Sequence, residues 1–294
     1  MRGLKRDALG MGLRIPHLKD ALSGSYPLDF FEVIAENYLH SGPIPLSNLK
    51  KASELVPVNM HGTSLNLLGS DPLRTEHLSG IRKLIENHNI PYFTEHLCWS
   101  AHDGWYSHDL LPVPHRNDFL EYAVQRAIEV REQIPVPFGV ENLSSYASFA
   151  SSTMTEWEFY TQVVKDAGVY YMLDINNIYV SSKNHDFDPV KYLEAIDWDR
   201  VLYVHLAGHS VSADGLIIDT HDHHVCDEVW ELYQKAWMLG GPFPTMVEWD
   251  DNIPAYDVLI EEVYKARDFR KGLKPGRGSD ANPIWVDMQV VKNA

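Results

Sequence analysis

Eight short runs of apolar, β-branched and aromatic residues punctuate the chain, near residues 9–14, 29–35, 56–61, 91–96, 136–142, 170–174, 201–205 and 245–249. Each is the length of a strand and too short for a core helix. Longer segments of helical periodicity lie between them, at 118–133, 155–167, 189–196, 226–238 and 255–267. Asp118, Thr155 and Asp188 followed by Pro189 suit helix starts, and Gly168, Gly240 and Gly241 suit helix ends. Strands alternating with helices predict βαβ units and a parallel sheet. Such a sheet can close into a barrel or stay open and doubly wound. No glycine-rich turn of the dinucleotide-binding kind follows the first run. The residues that end the runs then decide for a single (β/α)8 TIM-type barrel. It is expected over residues 1–270, with 271–294 as a C-terminal tail or arm.

The third to eighth runs close on His61, His96, Glu141, Asp174, His205 and Glu248, and the second leads into Glu36. In a barrel all these strand ends meet on one face, where active sites sit. Three imidazoles and three carboxylates around one opening suit Zn, Mn or Fe(II); Ca and Mg prefer oxygen alone. One such residue would read as a helix cap or a satisfied core polar group. Six in phase need a shared counter-charge, because unpaired buried charge is costly. A cluster of two or three metal ions supplies it. The following loops extend the set with Asn177, His209 and the Asp219–Thr220–His221 triplet. His102, His108, His185 and His223 are read as structural. Glu95 faces the opposite side of its strand from His96 and is expected on the barrel exterior, outside the ligand set.

The formal net charge of −16 works against a nucleic-acid partner, which calls for a basic face. No apolar run reaches the roughly 18 residues that cross a bilayer. Residues 1–14 lack the apolar stretch of a signal peptide, so a cytoplasmic location is expected. The two cysteines, Cys98 and Cys226, form no CxxC pair and suggest no thiolate zinc site. Cys98 is read as a buried thiol.

The order His, His, Glu, Asp, His, Glu along strands three to eight resembles the endonuclease IV and xylose isomerase-like barrel superfamily. The nuclease has a histidine three residues after the sixth-strand Asp, where this chain has Asn177. A narrower resemblance includes that asparagine. The strings GLGMGLR, FFEVIAENY, VNMHGTSLNL, TEHLCWS, LLPVP, GVENLSSY, LDINNIYVSS, VHLAGH, DTHDHHV and VEWD are similar to the multinuclear non-haem iron-dependent oxidative enzymes, among them the oxidase of methanobactin biosynthesis. The likeness spans about residues 9–267.

It implies two or three iron ions, O2 as co-substrate, and oxidation of cysteine in a ribosomally made precursor peptide. A partner protein that recruits the leader segment is implied as well. Carried over residue by residue, His61 and His96 serve one metal, Glu141 bridges, and Asp174, His205 and Glu248 serve the second. Asp219 and His221 serve the third, and Asn177 belongs to the pattern. His209 becomes a candidate base, and Glu36 and Asn142 candidate substrate or supporting contacts. The purified protein could also carry Zn or Mn. The alternatives are a divalent-metal hydrolase or sugar isomerase on the same barrel, or a non-catalytic metal-binding protein. An isomerase of this superfamily would want a lysine near its metals, and no strand end carries one.

Overall fold

A computed structural model describes residues 3–25 and 27–277. Strand β1 (Leu9–Gly12) leads to α1 (Leu18–Ser23), β2 (Phe30–Ile34) to α2 (Glu36–Leu39) and α3 (Pro43–Leu55), and β3 (Val58–Gly62) to α4 (Thr75–His88). Strand β4 (Phe93–His96) is followed by a hairpin, β5 (Trp99–His102) and β6 (Trp105–Leu111), then α5 (Asn117–Gln133). Strand β7 (Phe138–Glu141) precedes α6 (Glu156–Ala167), and β8 (Tyr170–Asp174) precedes α7 (Ile175–His185) and α8 (Pro189–Ala195). Strand β9 (Val201–Leu206) leads through the hairpin β10 (Ser210–Val211) and β11 (Ile217–Ile218) to α9 (Asp227–Gly240). Finally β12 (Thr245–Val247) precedes α10 (Tyr256–Arg270).

Eight of these strands close in the order β1-β12-β9-β8-β7-β4-β3-β2, every pair parallel. This is the predicted barrel. Side chains alternate along each strand, so the residue two before a ligand faces the same interior. Phe30, Met172, Tyr203 and Met246 accordingly gather in one buried cluster beneath the strand ends, joined by Leu4, Ala8, Tyr92 and Leu202. The larger cluster packs helices such as α6, through Phe159, Val163 and Val164, onto the outside of the sheet. A capping box of Thr155 and Glu158 starts α6, and Gly168, in left-handed backbone, ends it.

Three features depart from the sequence reading. The β5–β6 hairpin was not predicted, although Asp103 and Gly104 (φ 47° and 76°) form the kind of Asp-Gly pair that turns a hairpin. The β10–β11 hairpin likewise occupies what reads as a loop. Asn177 sits in the first turn of α7, not in a loop, because Asp174 caps that helix by accepting from the Asn177 N–H. Of the tail, Arg277 donates to the carbonyls of Gly240 (2.7 Å) and Pro242 (3.0 Å). Residues 278–294, and the charged Arg2, lie outside the described residues. Among the described residues no helix is long and apolar enough to cross a membrane.

Candidate metal centre

Closure of the barrel brings the strand-end residues to one point. In the pairing register His96 lies beside Glu141, and Asp174 beside His205. The Nε2 atoms of His61 and His96 both stand 3.0 Å from Oε2 of Glu141. Nδ1 of His205 stands 3.1 Å from Glu248 Oε2 and 3.9 Å from Asp174 Oδ2. His221 places Nε2 2.8 Å from Asp219 Oδ1 and Nδ1 3.4 Å from Glu248 Oε2. His61, Glu141, Asp174, His205 and Glu248 are buried.

Donor atoms form four overlapping groups: His61, His96 and Glu141; Glu141, Asp174 and His205; Asp174, His221 and Glu248; and Glu32, His205 and Glu248. Among the carboxylates, Glu141, Asp174 and Glu248 each belong to two groups. A carboxylate has two oxygens, so shared carboxylates are what adjacent metal ions need as bridges.

The unpaired atoms show that this set fits metal ions. Nδ1 of His96 lies 3.1 Å from the Gly62 carbonyl oxygen, which can only accept. Nδ1 therefore carries a hydrogen, and Nε2 is left facing a carboxylate oxygen, where a proton or a metal ion has to stand between them. Buried and without a hydrogen-bond partner are His61 Nε2, Glu141 Oε2, Asp174 Oδ2, Asn177 Oδ1, His205 Nδ1 and His221 Nε2. Orphaned polar atoms each cost free energy, and cations placed among them would satisfy the set together. The titration behaviour agrees. Burial opposes charge on the imidazoles, yet Glu141 holds His96, Glu32 and Glu248 hold His205, and Asp219 holds His221 well above the ordinary imidazole value. Burial, with the charges of Glu141 and Asp219, pushes Asp174 well above the usual carboxylate range. The site concentrates negative charge that demands a counter-charge.

The remaining predicted residues have varied surroundings. Asn177 donates to Glu141 Oε1 (3.2 Å) and to the Asn142 carbonyl (3.0 Å), leaving its own oxygen buried and without a hydrogen-bond partner. Asn142 grips the Asp174 backbone from both sides, Nδ2 donating to the carbonyl and Oδ1 accepting from the N–H, each at 2.9 Å. Glu36 accepts from Thr63 N–H, Ser64 N–H and Ser64 Oγ, and so ties down the loop after β3. His209 stacks on Tyr179 and bonds Asn176, which donates to Asp219. It reaches the centre through Asn176 and does not line the cavity. Glu95, buried on the far side of β4, accepts from Leu65 N–H at 3.1 Å. Burial pushes the Cys98 thiol well up, leaving it in the unreactive form.

Sequence reasoning overlooked several participants. Arg14, at the end of the first run, is buried and donates to Glu248 Oε1 (2.7 Å) and to Asp250. Glu32, Thr94 and Tyr203 lie two residues before an inward-facing strand-end position. The signal for Glu32 was present: a lone charge inside FFEVI must be buried if the run is a strand.

Above the ligands lies a cavity of about 200 Å³, whose rim includes Asp109 and Leu110 from β6, Tyr146 and Thr220. Among the described residues neither lysine nor arginine lines it. Gly208 shapes one wall, because a Cβ there would run into the backbone carbonyl of His223, in the segment that carries Asp219 and His221.

A family model described as "RiPP precursor modification enzyme MbnB/TglH/ChrH", for ribosomally synthesised and post-translationally modified peptides, matches residues 8–271. A UPF0276 protein of Caulobacter vibrioides is 41% identical over 262 residues, covering 89% of this chain and 93% of its own. One from Anaeromyxobacter is 39% identical over 257 residues, covering 87% and 90%. Among solved structures, endonuclease IV from Thermus thermophilus superposes with a TM-score of 0.58 at 18% identity, covering 88% of this chain and 98% of its own. D-psicose 3-epimerase from Clostridium cellulolyticum gives 0.58 at 13%, covering 90% and 98%. At such identities these two share the fold alone.

Proposed function

The chain belongs to the MbnB/TglH/ChrH family of RiPP precursor modification enzymes, and from that premise we propose that it is a multinuclear iron-dependent oxidase acting on a cysteine of a precursor peptide. One observation carries the reading: overlapping donor groups share carboxylates and leave buried lone pairs facing one another. His61, His96 and Glu141 would hold one iron, Glu141, Asp174 and His205 a second, and Asp174, His221, Glu248 and Asp219 a third. Iron held there supplies a Lewis acid that keeps a substrate thiol deprotonated and a redox couple through which O2 takes electrons from the cysteine.

The protein's own groups orient and enclose. Asn177 and Arg14 each engage one oxygen of Glu141 and Glu248, leaving the other free for the centre. The cavity admits a side chain with its adjoining backbone, and Asp109, Leu110 and Tyr146 on the rim face the incoming peptide. A leader-recruiting partner protein completes the proposal.

The test is the metal content of anaerobically purified protein, with Mössbauer spectra of iron-57-grown material. Two or three spin-coupled irons per chain, with O2 consumed on addition of a cysteine-bearing precursor, support the reading. Stoichiometric zinc or manganese with no iron uptake would refute it and leave hydrolysis or isomerisation on the same barrel.

A further inference from the structure

A second polar layer lies beneath the metal-facing one, inside the barrel. Glu32 (β2), Thr94 (β4) and Tyr203 (β9) are all buried there. The Tyr203 hydroxyl is 2.5 Å from Glu32 Oε2 and 2.7 Å from Thr94 Oγ1, and Thr94 Oγ1 is 2.8 Å from His61 Nδ1. On the other side of Glu32, His205 Nε2 stands 3.1 Å away. A continuous chain thus runs His61–Thr94–Tyr203–Glu32–His205 under the centre.

Its polarity follows from one end. An ionised carboxylate only accepts, so Tyr203 donates its single proton to Glu32. The Tyr203 oxygen must then accept from Thr94, which spends its own proton there. Thr94 Oγ1 is left to accept from His61 Nδ1–H. His61 is therefore the tautomer with a bare Nε2, the atom that faces Glu141. In the same way Glu32 accepts from His205 Nε2–H and leaves Nδ1 bare toward Glu248 and Asp174. Glu32 is also a member of a candidate ligand group with His205 and Glu248, but it approaches His205 at Nε2, the ring edge opposite the Nδ1 that faces Glu248 and Asp174.

We propose that Glu32 is the positioning residue that sets the metal-binding tautomer of two histidines on different metal positions, His205 directly and His61 through Tyr203 and Thr94. The proposal rests on the metal-centre reading but not on iron or on oxidation. Histidine ligands held by an outer carboxylate or hydroxyl lose about 10–100-fold in metal affinity when that partner goes.

The test is anaerobic Co(II) titration of the chelator-stripped protein, followed by visible absorption, with circular dichroism to verify folding. Thr94→Val and Tyr203→Phe are expected to weaken one class of site roughly 10-fold or more and leave the rest unchanged. Thr94→Ser, which keeps the hydroxyl, should bind as the unmodified protein does. Glu32→Gln should weaken two classes together. In a His96→Ala background, where the His61 site is already crippled, Thr94→Val should add nothing. If Thr94→Ser and Thr94→Val behave alike, or if Tyr203→Phe weakens all sites equally, packing explains the effect and the relay is overturned. Should Glu32→Gln fail to fold, the Thr94 pair decides. No Co(II) uptake by the unmodified protein would instead sink the metal-centre reading itself.

Discussion

Replacing Asn142 by alanine should separate two consequences of one side chain. Asn142 is buried and makes two 2.9 Å hydrogen bonds to the backbone of Asp174, one as donor and one as acceptor. Truncation leaves an N–H and a carbonyl at the end of β8 buried and unpaired. Each costs about 1–3 kcal/mol, so the pair costs about 2–6 kcal/mol. For a chain of this size, with an unfolding entropy of roughly 0.6 kcal/mol/K, a central loss of about 4 kcal/mol lowers Tm by roughly 6–7 °C. Metal uptake should fall too, because Asp174 is shared by two ligand groups and its carboxylate is carried on that backbone. A loss of about 10–100-fold is expected from misplacing a ligand's support. Asn142→Asp is the sharper control. It keeps an acceptor for the Asp174 N–H but sets a carboxylate oxygen against the Asp174 carbonyl, so it should be no better than alanine. The assays are thermal unfolding of the chelator-treated protein and metal titration of the refolded one. An alanine variant that melts within about 2 °C of the parent refutes the energetic argument. One that melts early yet binds the full metal complement refutes the claim that Asn142 positions Asp174.

Burial pushes Glu156, bonded to Tyr192, up to about 7. Its folded state therefore favours the protonated form, and the contribution to stability is lost as pH rises through about 7. Glu156→Gln should stabilise the protein by about 1–2 kcal/mol on the alkaline side only, allowing for partial solvent screening; equal melting shifts on both sides would refute this. Burial works against the charge of Glu36, yet His77 and the Ser64 donors hold it down at about 2. Stability from this group is present above the ordinary carboxylate range and drains away as pH falls toward about 2, a slope that Glu36→Gln should flatten in acid denaturation. Gly208→Ala should displace the segment carrying Asp219 and His221 and cost one metal per chain while sparing the others, as read by elemental analysis. Thr155→Ala removes half of the capping box of α6 and should cost about 1 kcal/mol with no change in metal content.

Much of this was legible along the chain, because two periodicities carry it. Apolar runs of strand length alternating with helical segments define the barrel, and the residues that end those runs share one face whenever eight parallel strands close. His61, His96, Glu141, Asp174, His205 and Glu248 could thus be picked out as one site without coordinates. Distances between strands are another matter. Which nitrogen of each histidine faces inward, and which carboxylates lie in two groups at once, depend on the barrel's register and stagger. Glu32, Thr94 and Tyr203 come from three strands far apart in sequence, and only closure brings their hydroxyls and carboxylate within hydrogen-bond reach. Asn142 and Glu36 read in the sequence as substrate or supporting contacts; the fold shows which backbone each one bonds, because a polar side chain does not announce which backbone it will meet. The local pattern decided where ligands could stand, and tertiary packing decided how each is held, because tautomer and orientation are set by neighbours that the chain brings from elsewhere.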